Sequence, residues 1–143
     1  MNNVVIFGAG YVGLAMAALI SLKHNVTIVD VDLTKVEKIN RRVSPIKDQK
    51  IENFFKEKEL FLEAISPDEL SLEGVDLVLL ALPTNYDETT NSFDTSILDQ
   101  TLSLLTNSGY EGTVVIKSTI PIGYTDRSRK RFGLNNLFFS PEF

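Results

Sequence analysis

The chain has 143 residues, 43% hydrophobic and 23% charged, which is the size and balance of one soluble globular domain with a single core. Its formal charge of -5 speaks against attraction to nucleic acid or anionic lipid, since the only basic cluster is the short run Arg127, Arg129, Lys130 and Arg131. With no cysteine, disulfides, thiolate metal sites and a cysteine nucleophile are excluded within these residues, and no apolar run reaches the ~18 residues of a membrane span.

In chain order, "NNVVIFGAG" reads as a buried strand that stops at glycine, and "YVGLAMAALISLK" as the buried helix that follows. "NVTIVDVD" is a second strand ending in acid, and "TKVEKINRR" a short amphipathic helix with Asp32 as its N-cap. "KDQKIENFFKEKE" sets Ile51, Phe54 and Phe55 on one helical face. "LFLEAI" is a third strand, "SPDEL" a capped turn, and "VDLVLLALP" a central strand with nearly unbroken aliphatics.

"TNYDETTNSFDTS" is polar and rich in turn formers, so a long loop is expected there. "DTSILDQTLSLLTNSG" is a helix opened by Asp94 or Thr95 and closed by Gly109. "GTVVIKST" is the fifth strand, "GYTDRSRKRFG" a short helix whose basic residues form a solvated face, and "NLFFSPEF" the sixth strand. The N-terminus carries neither a basic leader nor a cleavage pattern, which makes the cytoplasm the expected compartment.

Strands alternating with helices imply a parallel sheet with right-handed crossovers. Six of them predict an α/β doubly wound sheet of Rossmann type, order 3-2-1-4-5-6, with a crevice at the carboxyl ends where strands one and four diverge. Gly8, Gly10 and Gly13 in "GAGYVG" form G-x-G-x-x-G directly between the first strand and first helix, the context that makes this spacing a dinucleotide fingerprint. The helix opening at Tyr11 and Val12 offers free N–H groups and a positive dipole end to a pyrophosphate.

Asp30 closes the second strand about 20 residues on, where a carboxylate takes ribose hydroxyls. A 2′-phosphate beside it would cost roughly 4 kcal/mol per charge pair at 4 Å and an effective dielectric near 20, so NAD is expected rather than NADP. Lys35, one helical turn further, reaches the same ribose or phosphate, or is solvated. The remaining strand tips carry Pro83 and Thr84, Ser118 and Thr119, and Pro141 and Glu142. Hydroxyls and a carboxylate gathered there suit hydrogen bonding to a nicotinamide and polarisation of an alcohol or water; the alternative is that they cap strand ends. Lys117 either pairs at the sheet edge or points into the site. The single histidine, His24, lies in a turn at the far end, and no residues have metal-ligand spacing.

The stretches "GAGYVGL", "VDVDLTKVEKIN", "SPIKDQKI", "LPTNYDETTNSFDTS", "IKSTIPIG" and "FFSPEF" together resemble the NAD-dependent nucleotide-sugar dehydrogenases, the UDP-glucose/GDP-mannose dehydrogenase family, and favour its UDP-glucose branch over those acting on UDP-N-acetylmannosamine or GDP-mannose. The resemblance implies oxidation of a sugar C6 alcohol to a carboxylate with two NAD and one water, through an enzyme thioester. It implies NAD contacts from Tyr11, Val12, Asp30, Lys35, Thr84 and Thr119, a water held by Thr119, and acid/base work at Glu142. The family's catalytic lysine, asparagine, cysteine and aspartate lie beyond "SPEF". Residues 1–143 are therefore expected to be its N-terminal NAD-binding domain alone, monomeric and without turnover, where the whole enzyme binds UDP-glucose and forms a homodimer. A stand-alone NAD-sensing module is the alternative.

Overall fold

The computed structural model describes residues 1–142. The elements run β1 (Asn3–Phe7), α1 (Tyr11–Ile20), β2 (Asn25–Val29), α2 (Leu33–Asn40), α3 (Gln49–Glu57), β3 (Leu62–Ile65), a single 3-10 turn (Pro67–Glu69), β4 (Leu77–Leu80), β5 (Tyr86–Asp87), β6 (Ser92–Phe93), α4 (Ser96–Asn107), β7 (Thr113–Ile116), α5 (Tyr124–Phe132) and β8 (Leu137–Phe139). Six strands pair in parallel in the order β3-β2-β1-β4-β7-β8. With the two strands of a separate hairpin set aside, this is the 3-2-1-4-5-6 order expected from the sequence.

Successive strand residues face opposite sides of a sheet, and β1 divides accordingly. Val4 and Ile6 pack with Leu14, Ala17, Ile39, Ile51 and Phe55 under α1, α2 and α3. Val5 and Phe7 pack on the other face with Leu98, Leu102 and Leu105 of α4 and Phe132 of α5. Leu14, Ile39, Leu98 and Leu102 are fully enclosed, each stabilising the fold by about 1.5–3 kcal/mol. The two layers hold the carboxyl ends of the strands in register, which fixes the crevice.

The connection from β3 to β4 departs from the usual helical crossover. Its only regular piece is the 3-10 turn, clasped where the Ser66 amide and hydroxyl both donate to Glu69 Oε2 at 2.9 Å. With no helix over them, β2 and β3 turn polar residues outward, and the Thr27 hydroxyl donates to Glu63 across the strands at 3.1 Å.

The outer edge of β3 is occupied by side chains. Asn40 donates to the Ala64 carbonyl and accepts from the Ala64 amide, both at 2.8 Å, and Arg42, held at φ 60°, donates to the carbonyls of Leu60 and Leu62. At the opposite edge the Arg129 guanidinium donates to Leu137 of β8 at 2.8 Å.

One sequence expectation needs correcting. The segment after β4 is not wholly loop: β5 and β6 pair antiparallel, Tyr86 opposite Phe93, with ring centroids 5.2 Å apart and planes at 69°. Asp87 accepts the Thr89 amide at 2.8 Å and Asn91 takes φ 50°, two local devices that turn the chain without glycine. Strands of two residues leave no alternation to read.

Candidate functional site

The glycines of the first turn have three separate reasons. Gly8 sits at φ +103°, and a Cβ there would lie 2.3 Å from the Ala81 carbonyl oxygen, so β1 and β4 require its absence. A Cβ on Gly13 would lie 1.9 Å from the Gly8 oxygen, because α1 presses directly on the turn. Gly10 has an ordinary φ of -84°, and its missing Cβ would meet nothing within 4 Å. Neither backbone strain nor protein packing accounts for glycine there. The space is left open.

That space adjoins the N-terminus of α1, where the first helical bond runs from Leu14 N–H to the Gly10 carbonyl. The amides of Tyr11, Val12 and Gly13 thus precede the helical ladder. Asp32 and Asp48 cap α2 and α3 with their carboxylates, whereas α1 begins with no side-chain cap. Uncapped N–H groups, the positive end of the helix dipole and a cradle that a methyl group would fill suit an anion such as a pyrophosphate.

Asp30, at the end of β2, is fixed from two sides: Ala9 N–H donates to Oδ2 and Asp32 N–H to Oδ1, both at 2.8 Å. Each carboxylate oxygen keeps a lone pair for a hydroxyl. These groups share a cleft of about 830 Å³ whose walls include Gly8, Gly10, Tyr11, Val12, Asp30, Lys35 and Pro83. Its far wall comes from Ile97, Gln100, Thr101 and Leu104 of α4, with Pro67 of the 3-10 turn at one end. Sequence reasoning did not reach that wall, because nothing in an amphipathic helix says which residues border a neighbouring cleft.

Tyr11 is largely exposed on the cleft rim. A hydrogen bond with Asp48 pushes its phenol above the usual range, Asp48's charge adding to this and Glu142's contributing less. Asp48 is itself held below the ordinary carboxylate range, chiefly by the Ile51 N–H it caps and in part by Tyr11. Tyr11, after the glycine turn, and Asp48, at the start of α3, thus influence one another's ionisation, a link that no local pattern announces.

Thr84, Ser118, Thr119 and Glu142 are outside that cleft's walls and form a second group at the tips of β4, β7 and β8. The Ser118 hydroxyl, buried, donates toward the carbonyls of Leu82 at 2.6 Å and Leu80 at 3.3 Å. This is the strand-end role given above as its alternative. Thr84 donates to the Thr119 carbonyl at 2.7 Å, and the two hydroxyl oxygens are 2.9 Å apart. Lys117, with 11% of its side chain exposed, reaches Ser140 Oγ at 3.3 Å and Glu142 Oε2 at 3.7 Å. Both of its sequence readings meet, since its partner is a candidate site carboxylate.

His24 is remote, its Nδ1 accepting the Asn2 amide at 3.1 Å. Among the described residues no cluster of His, Asp and Glu could hold a metal ion, and no helix is long and apolar enough to cross a membrane. A second hollow, about 480 Å³, lies at the amino ends of the strands against Asn3, Asn25, Thr27 and Glu63. It has no glycine turn and no helix N-terminus.

A doubly wound sheet that keeps a glycine for empty space, and a buttressed carboxylate on the next strand, is built around a dinucleotide; the fold and cleft define a Rossmann-type nucleotide-binding domain. Residues 2–139 match the model described as the UDP-glucose/GDP-mannose dehydrogenase family, NAD binding domain, and the chain belongs to that family. It is 45% identical over 141 residues to UDP-glucose 6-dehydrogenase of Streptococcus pneumoniae and 42% identical over 143 residues to that of Campylobacter jejuni, in each case 99% of this chain and 36% of the relative. The chain thus spans about a third of the length of these relatives. In fold it is similar to a GDP-mannose dehydrogenase from Pseudomonas aeruginosa, TM-score 0.82 at 23% identity over 98% of this chain and 36% of that one. A UDP-D-ManNAc dehydrogenase from Pyrococcus horikoshii has TM-score 0.83 at 23% identity over 99% and 36%.

Proposed function

We propose that this chain is the NAD-binding domain of a cytoplasmic UDP-glucose 6-dehydrogenase, an enzyme that oxidises the sugar C6 alcohol to a carboxylate. The observation that carries the cofactor assignment is the open cradle at Gly10 under an uncapped helix N-terminus, with Asp30 held beside it in the same cleft. The substrate rests on the relatives that share 45% and 42% of this sequence.

Bound NAD supplies the hydride acceptor. The chain's own residues bind and orient it: the first amides of α1 take the pyrophosphate, and Asp30 takes the adenosine ribose hydroxyls. Tyr11 and Val12 border the phosphates, Lys35 adds positive charge on the adenosine side, Pro83 lines the cleft wall, and Thr84, just beyond that wall, meets the nicotinamide end. Thr119 and Glu142 serve the reacting end, where Glu142, paired with Lys117, handles protons and water. The catalytic lysine, asparagine, cysteine and aspartate expected of the whole enzyme come from outside these residues, so the 143-residue chain binds cofactor as a monomer and turns over nothing. In the whole enzyme the domain belongs to a homodimer.

Calorimetric titration of the chain with NAD and with NADP tests the reading. Micromolar to low-millimolar binding of NAD, at least tenfold tighter than NADP, is expected. Equal affinity for the two would remove Asp30 from the ribose site, and no binding of either would overturn the cofactor assignment.

A further inference from the structure

We infer that Thr84 is a positioning residue that turns the Thr119 hydroxyl into a pure hydrogen-bond acceptor at the nicotinamide end of the site. The placement relative to nicotinamide rests on the reading above; the orientation itself rests on proton accounting between three hydroxyls at two strand tips.

A threonine or serine hydroxyl has one proton to give and lone pairs to accept with. Thr84 Oγ1 lies 2.7 Å from the Thr119 carbonyl oxygen. A carbonyl cannot donate, so the Thr84 proton is committed to that bond. The same Oγ1 is 2.9 Å from Thr119 Oγ1, and with its own proton spent it can only accept there. The Thr119 proton therefore points at Thr84.

Ser118, one residue earlier, directs its proton at the Leu82 and Leu80 carbonyls, lacing the same two tips from the other direction. Two of the three hydroxyls are thus consumed by main chain, and the third is left with lone pairs alone. An oriented acceptor at a strand tip selects a ligand group that donates, an N–H or O–H, and disfavours one that presents only lone pairs or negative charge. On a dinucleotide, the nicotinamide carboxamide carries such N–H donors.

The test combines a ligand-free measurement with a binding measurement on the 143-residue chain. Three-bond couplings to the Thr119 methyl carbon should report one χ1 rotamer in the parent and in Thr84→Ser, and rotamer averaging in Thr84→Val. In calorimetry Thr84→Val should weaken NAD about five- to tenfold while leaving ADP-ribose, which lacks the nicotinamide, within twofold. Thr84→Ser should restore NAD binding. Thr119→Val should match the Thr84→Val loss, with the double variant no weaker than either single one.

A Thr119 rotamer that stays fixed in Thr84→Val overturns the inference. So does an equal loss of NAD and ADP-ribose, or an additive double variant. If the parent chain bound neither ligand, the dinucleotide reading would fail, and the coupling measurement would by itself decide whether Thr84 orients Thr119.

Discussion

Alanine at Gly10 and at Gly13 should separate binding from folding within one turn of helix. At Gly13 the new Cβ would sit 1.9 Å from a backbone oxygen, 1.1 Å inside the 3.0 Å that real Cβ atoms respect. The obstacle is main chain, so α1 has to move off the sheet. Overpacking of this kind costs about 1–3 kcal/mol, and at about 3 °C per kcal/mol for a chain of this length the melting temperature should fall by roughly 3–10 °C. At Gly10 the methyl meets nothing and φ is one that any residue adopts. Alanine is a poorer N-cap than glycine by about 1 kcal/mol, and the stiffer unfolded chain returns about 0.4–1 kcal/mol. Its melting temperature should stay within about 2 °C of the parent.

Gly10→Ala should nevertheless weaken NAD, because the methyl occupies the cradle beneath the α1 amides. If the same ~1–3 kcal/mol of crowding falls on the complex instead of the fold, affinity drops roughly 5- to 150-fold. Thermal denaturation and calorimetry on the two variants give the comparison. Unchanged NAD affinity in Gly10→Ala would refute the cradle, and a melting temperature as low as that of Gly13→Ala would show that the space was structural.

Asp30→Ala should weaken NAD and narrow its advantage over NADP, read by paired titrations; it also frees the Ala9 and Asp32 amides, so its melting temperature belongs in the same experiment. Alkali should destabilise the fold through two buried phenols. Burial, with the Asp76 charge second, raises Tyr110 to about 12, and burial, with the Asp99 hydrogen bond second, raises Tyr124 further. The folded state therefore binds these protons more tightly than the unfolded chain, and stability that is full below pH 10 should fall from about pH 10 toward pH 12. Denaturant midpoints across that range should decline, with a shallower slope in Tyr110→Phe. Asn40→Ala should cost about 1–3 kcal/mol, because both main-chain groups of Ala64 lose their partner on the outer edge of β3; a denaturation midpoint like the parent's would mean that water replaces the amide at no cost.

What could be read from the sequence was what the chain encodes locally. The glycine spacing, the acid at the end of β2 and the unbroken aliphatics of β4 each follow from a neighbouring strand or helix, and the cleft lies at the strand ends they mark. The Asp32 cap was legible for the same reason. The hairpin at Tyr86–Phe93 was not, because two-residue strands lack periodicity and its aromatic pair forms only once the turn closes. The influence of Asp48 on the Tyr11 phenol couples residues whose elements are separated by β2 and α2. The division of protons among Thr84, Ser118 and Thr119 depends on the spacing of two strand tips to within tenths of an ångström. Residue types at those tips indicated polarity, while only geometry could say which hydroxyl was spent.

The helix-free connection between β3 and β4 has a practical use. Its exposed Glu73 lies beside the hollow at the amino ends of the strands, away from the cleft walls. Because the chain contains no cysteine, Glu73→Cys would install a unique thiol there. A dye on that thiol, or a surface tether through it, would leave the cleft facing solution, so single-molecule or surface-based titrations could follow ligand arrival without an attachment at the site being measured.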